Sequence, residues 1–423
     1  MNILVLGAGG RESAFCWKLS KSKFINKIYA VPGNAGTELY AENYNISVND
    51  FQKIKSLVLD KEIKMVLVGP EEPLVKGIHD YFLNDDFLRD IHVIGPQKKG
   101  ALLEGSKSFA KEFMIRNKIP TAKYLKVNED NINEGNFFLE NLSPPYVLKA
   151  DGLAAGKGVL IIDNLNEAKI ELRRMLIEKK FGEASKNVVI EEFLEGIELS
   201  CFVLTDGINY INFPTAKDYK KIGEGDTGLN TGGMGAISPV PFVSKEFKNK
   251  IEKEIIKPTI KGLSKEKIPF SGFIFIGLIK VKDQLKVIEY NVRMGDPETE
   301  VVLPRIKNDF GEILISLVKK KLKHVKMEFT NDSAATIVSV SQGYPGKYEK
   351  GKEIKGLYNN TESIIFHCGT IKRSKKIFTN GGRVLAITSF GKDYKLALSK
   401  SYSFIKNINY EGIYYRNDIG FDL

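Results

Sequence analysis

The sequence predicts an α/β protein in three parts: a parallel sheet with helices on both faces, a larger mixed region built around a glycine-rich hairpin, and a small α/β unit at the end. Three observations carry this expectation. Over residues 1–103 short apolar runs alternate with glycine turns and helical stretches, as strands and helices do in a parallel sheet. At 146–162 the run YVLKADGLAAGKGVLII sets a small-residue loop between two β-rich segments. At 284–293 a strand ends in EYNVR, and alternation puts its polar side chains in a row on one face.

Length and composition frame those parts. A chain of 423 residues suggests about three domains, and 43% hydrophobic with 27% charged residues is ordinary for a globular protein. No apolar run approaches the ~20 residues of a bilayer span; the longest, 270–281, is shorter and contains Lys280. The opening MNILVLGAGGRE has no basic segment before its apolar residues and reads as a strand rather than a signal peptide. A cytoplasmic protein with no membrane partner is expected. Cys16, Cys201 and Cys368 are odd in number and far apart, as reduced thiols are, and the four histidines lack metal-ligand spacing. The net charge is +11, yet the cations are scattered and the densest run, KKKLKHVK at 319–326, has no interleaved aromatics. That argues against a nucleic-acid partner and favours anionic small molecules. The expected state is a monomer.

In chain order, 2–6 is an apolar strand running into Gly7, Gly9, Gly10, Arg11 and Glu12, with a helix from there to about residue 20. This departs from the dinucleotide fingerprint: Glu12 replaces the third glycine, and the second strand, 27–31, ends in Pro32-Gly33-Asn34 without an acidic ribose ligand. A nicotinamide cofactor is not expected. A glycine turn at a helix N-terminus with Arg11 beside it suits a single phosphate group. Strands at 65–68 and 92–94 continue the alternation, which ends near Leu103.

A helix then opens at Ser106, with Lys107 in its first turn, an unfavourable place for a cation unless an anion is near. Residues 121–193 hold enough structure for a small mobile lid. In its hairpin, Gly152, Ala154, Ala155, Gly156 and Gly158 let backbone amides approach a ligand, and Lys149 and Lys157 place cations where a polyphosphate would lie. It is not a Walker A loop, because 152–157 is one residue short, a glycine follows Lys157, and a strand rather than a helix comes next. Alone, such a loop is equally a plain glycine hairpin. The run VVIEEFLEGIE at 188–198 supplies Glu191 and Glu198, which suit an adenine amine and a ribose hydroxyl, although glutamates at strand ends are commonly just solvated. The stretch 223–236, with six glycines in fourteen residues, is expected to form no regular element. On the last strand Glu289 and Asn291 are hard oxygen ligands suited to Mg²⁺ shared with phosphates, with Arg293 beside them to stabilise a transferring phosphoryl group.

Taken together, KADGLAAGKGV, EEFLEGIE, TGLNTGGMGA and IEYNVRMGDPE resemble the ATP-grasp region of the phosphoribosylamine–glycine ligase (glycinamide ribonucleotide synthetase) family. GAGGRE, PGNAGT, GPEEPLVKG and LEGSKSFAKEF resemble its N-terminal domain and first ATP-grasp helix; GYPGKY, TNGGRVLAIT and YYRNDIG resemble its C-terminal domain. The resemblance implies a Rossmann-like, pre-ATP-grasp domain over 1–103, an ATP-grasp fold with mobile lid over 104–326 (lid about 121–193), and a C-terminal α/β domain over 327–423. It implies that ATP phosphorylates glycine to glycyl phosphate, which the amine of 5-phosphoribosylamine attacks, giving glycinamide ribonucleotide, ADP and phosphate in purine biosynthesis. Lys107, Lys149, Gly152, Gly156, Lys157 and Gly158 would then hold ATP phosphates. Glu191, Glu192, Phe193 and Leu194 would border adenine, and Glu198 would bind ribose. Glu289 and Asn291 would carry Mg²⁺ or Mn²⁺, with Arg293 and Lys149 catalytic. Gly9, Gly10, Arg11, Glu12, Asn34, Asp218, Lys220, Gly232, Gly233, Arg293 and Asp296 would contact substrate.

The chain departs from the family pattern at Ser13, where a histidine is usual, and at Tyr219, Leu229 and Met294, where histidine, proline and phenylalanine are usual. Two rival readings stay open at this point. A biotin carboxylase or another purine-pathway ligase would keep the flap and metal strand but not GPEEPLVKG or TGGMGAISP. A non-catalytic ATP-binding module would have lost the flap lysine or the metal strand.

Overall fold

The opening apolar run forms strand β1 (Asn2–Gly7), and helix α1 (Gly10–Leu19) starts three residues later. In this computed structural model, which describes residues 1–154, 158–357 and 362–423, the next elements are β2 (Lys27–Pro32), β3 (Glu42–Asn43), α2 (Phe51–Asp60) and β4 (Ile63–Val68). After α3 (Glu71–Val75), α4 (Ile78–Leu83) and β5 (His92–Ile94) the sheet is complete, with five strands in the order β3-β2-β1-β4-β5 and every pairing parallel. Both faces are covered, as parallel sheets require. Ile3 and Val5 point into a core shared with Phe15 and Leu19 of α1, while Leu4 and Leu6 join Ile54 and Leu57 of α2 in another.

Two helices, α5 (Lys98–Gly105) and α6 (Lys107–Arg116), lead to the lid. It comprises β6 (Tyr124–Val127), α7 (Ile132–Glu140), β7 (Tyr146–Ala150), β8 (Val159–Ile162), α8 (Leu165–Leu176) and β9 (Val188–Glu192), with its antiparallel sheet ordered β6-β9-β7-β8. The lid has a core of its own. Tyr146, Leu148, Ala150, Val188 and Ile190 pack on Leu139, Leu172 and Met175 of its helices. The period of two therefore turns Lys149 and Glu191 to the opposite face of the sheet.

The chain continues through β10 (Ile197–Thr205), β11 (Tyr210–Asn212), β12 (Lys217–Asp218), β13 (Lys221–Gly223), β14 (Thr227–Asn230) and β15 (Gly235–Ser238). Here the sequence expectation for 223–236 is corrected: β13 and β14 pair as a hairpin and β15 is a buried strand. Gly225, with a positive φ of 63°, makes the turn between β13 and β14, and Gly228 takes a φ of 78° within β14. Helices α9 (Lys245–Ile251) and α10 (Lys257–Lys265), joined by a π turn, precede β16 (Gly272–Val281) and β17 (Gln284–Asn291). These strands form an antiparallel sheet in the order β11-β10-β16-β17.

After α11 (Thr299–Val302) and α12 (Phe310–Val318) come β18 (Ser333–Ser341), β19 (Glu353–Ile354), β20 (Ser363–His367), β21 (Thr370–Arg373), β22 (Lys376–Thr379), β23 (Arg383–Gly391), α13 (Tyr394–Ile405) and β24 (Ile413–Tyr414). One sheet runs β12-β15-β18-β23-β20, so strands from either side of residue 327 share a ladder. Phe15 of α1 stacks between Phe273 of β16 and Phe310 of α12, with centroids at 6.3 and 6.1 Å, and a single core joins all three regions. No helix of the described residues is long and apolar enough to cross a membrane.

Candidate active site

The lid sheet, the start of α6 and the end of β17 converge on one cleft. Ser106 caps α6 by accepting from the Phe109 amide at 3.1 Å, as its position predicts. Asp151, just past β7, clasps the same helix end. Its carbonyl accepts the Lys107 amide at 3.0 Å, and its carboxylate accepts the Ser108 amide at 2.7 Å and the Ser106 and Ser108 hydroxyls at 3.0 and 2.8 Å. The helix end is thus tied to the strand that carries Lys149. Lys107 is half-buried, and burial lowers its ammonium pKa against the opposing pull of Glu289. Gly152 is packed closely enough on Ala184 that a side chain would collide, and Gly158 likewise abuts Ala154 and Ala150. Gly156 and Lys157 lie outside the described residues.

Glu191 is buried between two lysines, with Lys149 at 2.9 Å from one oxygen and Lys111 at 2.9 Å from the other. Its carboxylate is therefore engaged inside the protein, which corrects the expectation that it accepts from an adenine amine. Glu192 is likewise committed, to Lys286 at 2.7 Å and the Lys123 amide at 3.0 Å. Phe193 is exposed and Leu194 half-buried. Lys111 and Asp151 escaped the sequence reading. Lys111 stands one helical turn from Lys107, a spacing that puts both on one face and was a usable signal.

Glu289 and Asn291 share a face of β17, and Arg293, two residues past its end, reaches back to Asn291. The Asn291 side-chain nitrogen lies 3.5 Å from Glu289 Oε1, and Arg293 donates to Asn291 Oδ1 at 3.0 Å. Burial pushes the Glu289 carboxyl up, but Lys220, Lys149 and Lys107 outweigh it and hold the pKa below the usual range. Glu289 stays ionised. The carboxylate of Glu289 and the neutral side-chain oxygen of Asn291 are of the donor type that fits Mg²⁺, which takes few protein ligands and completes its shell with phosphate and water. Among the described residues no cluster of three acidic, histidine or cysteine side chains offers a fuller cage. Arg293 is fixed by Glu104 at 2.7 Å, the Met294 carbonyl at 3.2 Å and Glu71 at 3.4 Å. Glu104 also accepts the Val292 amide at 2.8 Å; burial raises its pKa to about 7.

Beside this strand Lys220 pairs with Glu198 at 2.9 Å and lies 4.0 Å from Asp218. Buried Glu298 accepts from Ser200 at 3.2 Å, and burial with the neighbouring Asp218 raises its carboxyl to about 7. Gly232 and Gly233 are pinned from the C-terminal sheet: Arg383 donates to the carbonyls of Gly232 and Asp296, both at 2.7 Å, and the Tyr344 hydroxyl accepts the Gly232 amide at 2.9 Å. Gly233 has a φ of 119° against Pro297.

The N-terminal turn differs from expectation. The Gly9 amide donates to Glu12 at 2.6 Å and the Arg11 amide to Asp296 at 3.2 Å. Arg11, only 7% exposed, pairs with Glu12 at 2.6 Å and donates to the Met294 carbonyl at 3.1 Å. Two carboxylates of the protein thus hold the amides and the arginine that the sequence assigned to a substrate phosphate. Gly10 packs on Glu300 and Cys368. Buried Asn34 is also committed: its amide nitrogen donates to the carbonyls of Ala8 at 2.9 Å and His367 at 2.7 Å, and its oxygen accepts the amides of Gly36 and Thr37.

The chain as a whole is matched in known proteins. The N, ATP-grasp (A) and C domains of phosphoribosylglycinamide synthetase match residues 1–104, 105–299 and 334–422 in that order. The chain belongs to the phosphoribosylglycinamide synthetase family. A phosphoribosylamine–glycine ligase from Caldanaerobacter subterraneus is 45% identical over 99% of both chains. The trifunctional purine biosynthetic protein adenosine-3 of Gallus gallus is 42% identical over 99% of this chain, which spans 42% of that longer protein. The crystal structure of the Thermotoga maritima phosphoribosylamine–glycine ligase superposes with a TM-score of 0.83 at 35% identity, covering 99% of this chain and all of the other. The MgADP-bound biotin carboxylase domain of Hydrogenobacter thermophilus 2-oxoglutarate carboxylase shares the fold, at a TM-score of 0.74 and 17% identity over 98% of this chain and 91% of that one.

The departures from the phosphoribosylglycinamide synthetase pattern have local explanations in two cases. Ser13 is buried against Gly36 and accepts the His367 amide at 3.3 Å, so the His367 ring crowds the space that a larger residue at 13 would need. Tyr219 is buried, with its hydroxyl donating to Asp422 at 2.9 Å. Leu229 is 66% exposed on the β13–β14 hairpin. Met294 is buried and offers its carbonyl to Arg11 and Arg293.

Proposed function

We propose that the chain ligates glycine to 5-phosphoribosylamine with ATP, giving glycinamide ribonucleotide, ADP and phosphate in purine biosynthesis. The observation that carries this reading is the grouping of Glu289 and Asn291 on β17 with Arg293 just past its end, set against Lys107 and Lys149. In it the two lysines, with Gly152, Gly156, Lys157 and Gly158, hold the nucleotide's phosphates. The backbone of 191–194 borders the adenine, with Glu198 near the ribose. Glu289 and Asn291 hold Mg²⁺, or Mn²⁺ in its place, which when bound neutralises phosphate charge. Arg293, held still by Glu104, faces the glycine carboxylate as its oxygen takes the γ-phosphoryl group. The phosphoribosylamine nitrogen then attacks the acyl carbon of glycyl phosphate, forming the amide and releasing phosphate.

Asp218, Lys220, Asp296, Gly232 and Gly233 line the substrate side, with Gly9, Gly10, Arg11, Glu12 and Asn34 as the floor beneath them. A closing lid keeps water from the acyl phosphate. The division at 103 and 326, with a lid over about 121–193, belongs to the same proposal, as does action by a monomer in the cytoplasm without nucleic acid. The test is phosphate release from ATP that requires both glycine and phosphoribosylamine. Nucleotide binding without such turnover would make the chain an ATP-binding module instead.

A further inference from the structure

We infer that Lys111 is a positioning residue for the nucleotide: by sharing the Glu191 carboxylate it leaves the Lys149 ammonium able to hold a polyphosphate, and it ties that ammonium to β17. The inference rests on the nucleotide site proposed above.

Lys111, Glu191 and Lys149 are 2%, 4% and 6% exposed, so two cations and one anion sit together away from water. An uncompensated buried charge is costly, and within this trio the cations outnumber the anion; Glu289, which Lys149 helps to keep ionised, and a bound polyphosphate are the anions that balance it. The two lysines take different oxygens of Glu191, each at 2.9 Å. Were Lys111 absent, both oxygens would serve Lys149 and cancel its charge. Lys111 also donates to the Thr121 hydroxyl at 2.8 Å, and that hydroxyl donates to the Val287 carbonyl at 2.7 Å. The Val287 amide in turn donates to the Pro120 carbonyl at 2.8 Å. A continuous chain of contacts therefore runs from the lid lysine through α6 to a residue two positions before Glu289. The remaining groups facing Lys111 are the Tyr124 ring at 5.9 Å and Glu192, which is itself paired with Lys286.

The experiment measures MgADP affinity of the full chain by calorimetry for wild type, Lys111→Met and Lys111→Arg, with melting temperatures alongside. Lys111→Met is expected to weaken binding at least about tenfold, and Lys111→Arg to restore it within about threefold. A pH series adds a readout that a purely structural ion pair would not move. Burial brings the Lys111 pKa down to about 8 against the pull of Glu191, so wild-type affinity should fall as pH rises through that value. Lys111→Arg keeps its charge, so its alkaline fall should be smaller than the wild type's, what remains belonging to Lys107, whose pKa burial also lowers. If Lys111→Met does not fold, the pH series decides. Wild-type affinity in Lys111→Met, equal weakness in Lys111→Arg, or the same alkaline fall in wild type and Lys111→Arg would each overturn the inference and leave the nucleotide site standing. Failure of the wild-type protein to bind MgADP would remove the site and this inference with it.

Discussion

Individual side chains divide into those whose chemistry the sequence announced and those whose partners decide their role. Glu289 belongs to the first group. Glu289→Gln keeps its shape but removes the charge that three lysines hold ionised, and turnover is expected to fall by roughly a hundredfold or more. Near-normal rates at saturating Mg²⁺ would remove it from the metal site. Arg11 belongs to the second. As a free cation it would serve a phosphate, but it is the partner of Glu12, which is 2% exposed. Arg11→Ala therefore strands a buried carboxylate and is expected to cost about 3 kcal/mol of stability. Denaturant melts of variant and wild type check this; an unchanged midpoint would mean that Glu12 finds another partner. The pairing of Glu289 with Asn291 on one face was legible because alternation sets it; Arg293 lies past the strand end and joins them by its bond to Asn291. The engagement of Asn34 and Glu191 was not legible, because each depends on groups distant in sequence, His367 and Lys111; Arg11 pairs with its neighbour Glu12, but the contacts that bury the pair, to Asp296 and Met294, are equally distant.

Strands, helices and turns were read most reliably where a strong local signal marked their ends. The α6 cap at Ser106 and the β7–β8 hairpin fall where the sequence put them. The segment 223–236 was misread because its six glycines argued against any regular element, yet β13 and β14 pair on either side of the turn at Gly225. That hairpin is held from the C-terminal tail: fully buried Arg416 pairs with Asp226 at 2.6 Å and donates to the Lys221 carbonyl at 3.1 Å, and Asp418 accepts the Gly225 amide at 2.6 Å. Arg416→Gln is expected to raise hydrogen exchange across 221–230 while amides of β18 and β23 stay protected. Unchanged exchange in the hairpin would show that its own ladder suffices. The tail's grip reaches the substrate side as well, since Asp422 lies 3.1 Å from Lys217, next to Asp218.

The whole molecule separates into a lid with its own core and a body in which three regions share one. Stability should separate the same way. MgATP is expected to slow exchange in β7 and β9, which the proposed nucleotide site includes, and to leave β18 and β23 unaffected; equal slowing everywhere would mean that lid and body open as one unit. Asn34 is one of the rivets of the body, reaching from the N-terminal sheet to the carbonyls of His367 and Cys368. Asn34→Leu should lower stability by about 3 kcal/mol with a single transition retained in calorimetry, whereas two separate transitions would contradict the shared core. Helix α1 takes this interdependence furthest, because its Arg11 amide is capped by Asp296, from 285 positions along the chain. The N-terminal unit is consequently not a portable cassette: a chimera that borrows residues 1–103 from a relative inherits half of a lock whose key is encoded near 296, and recombination here succeeds only when both pieces travel together.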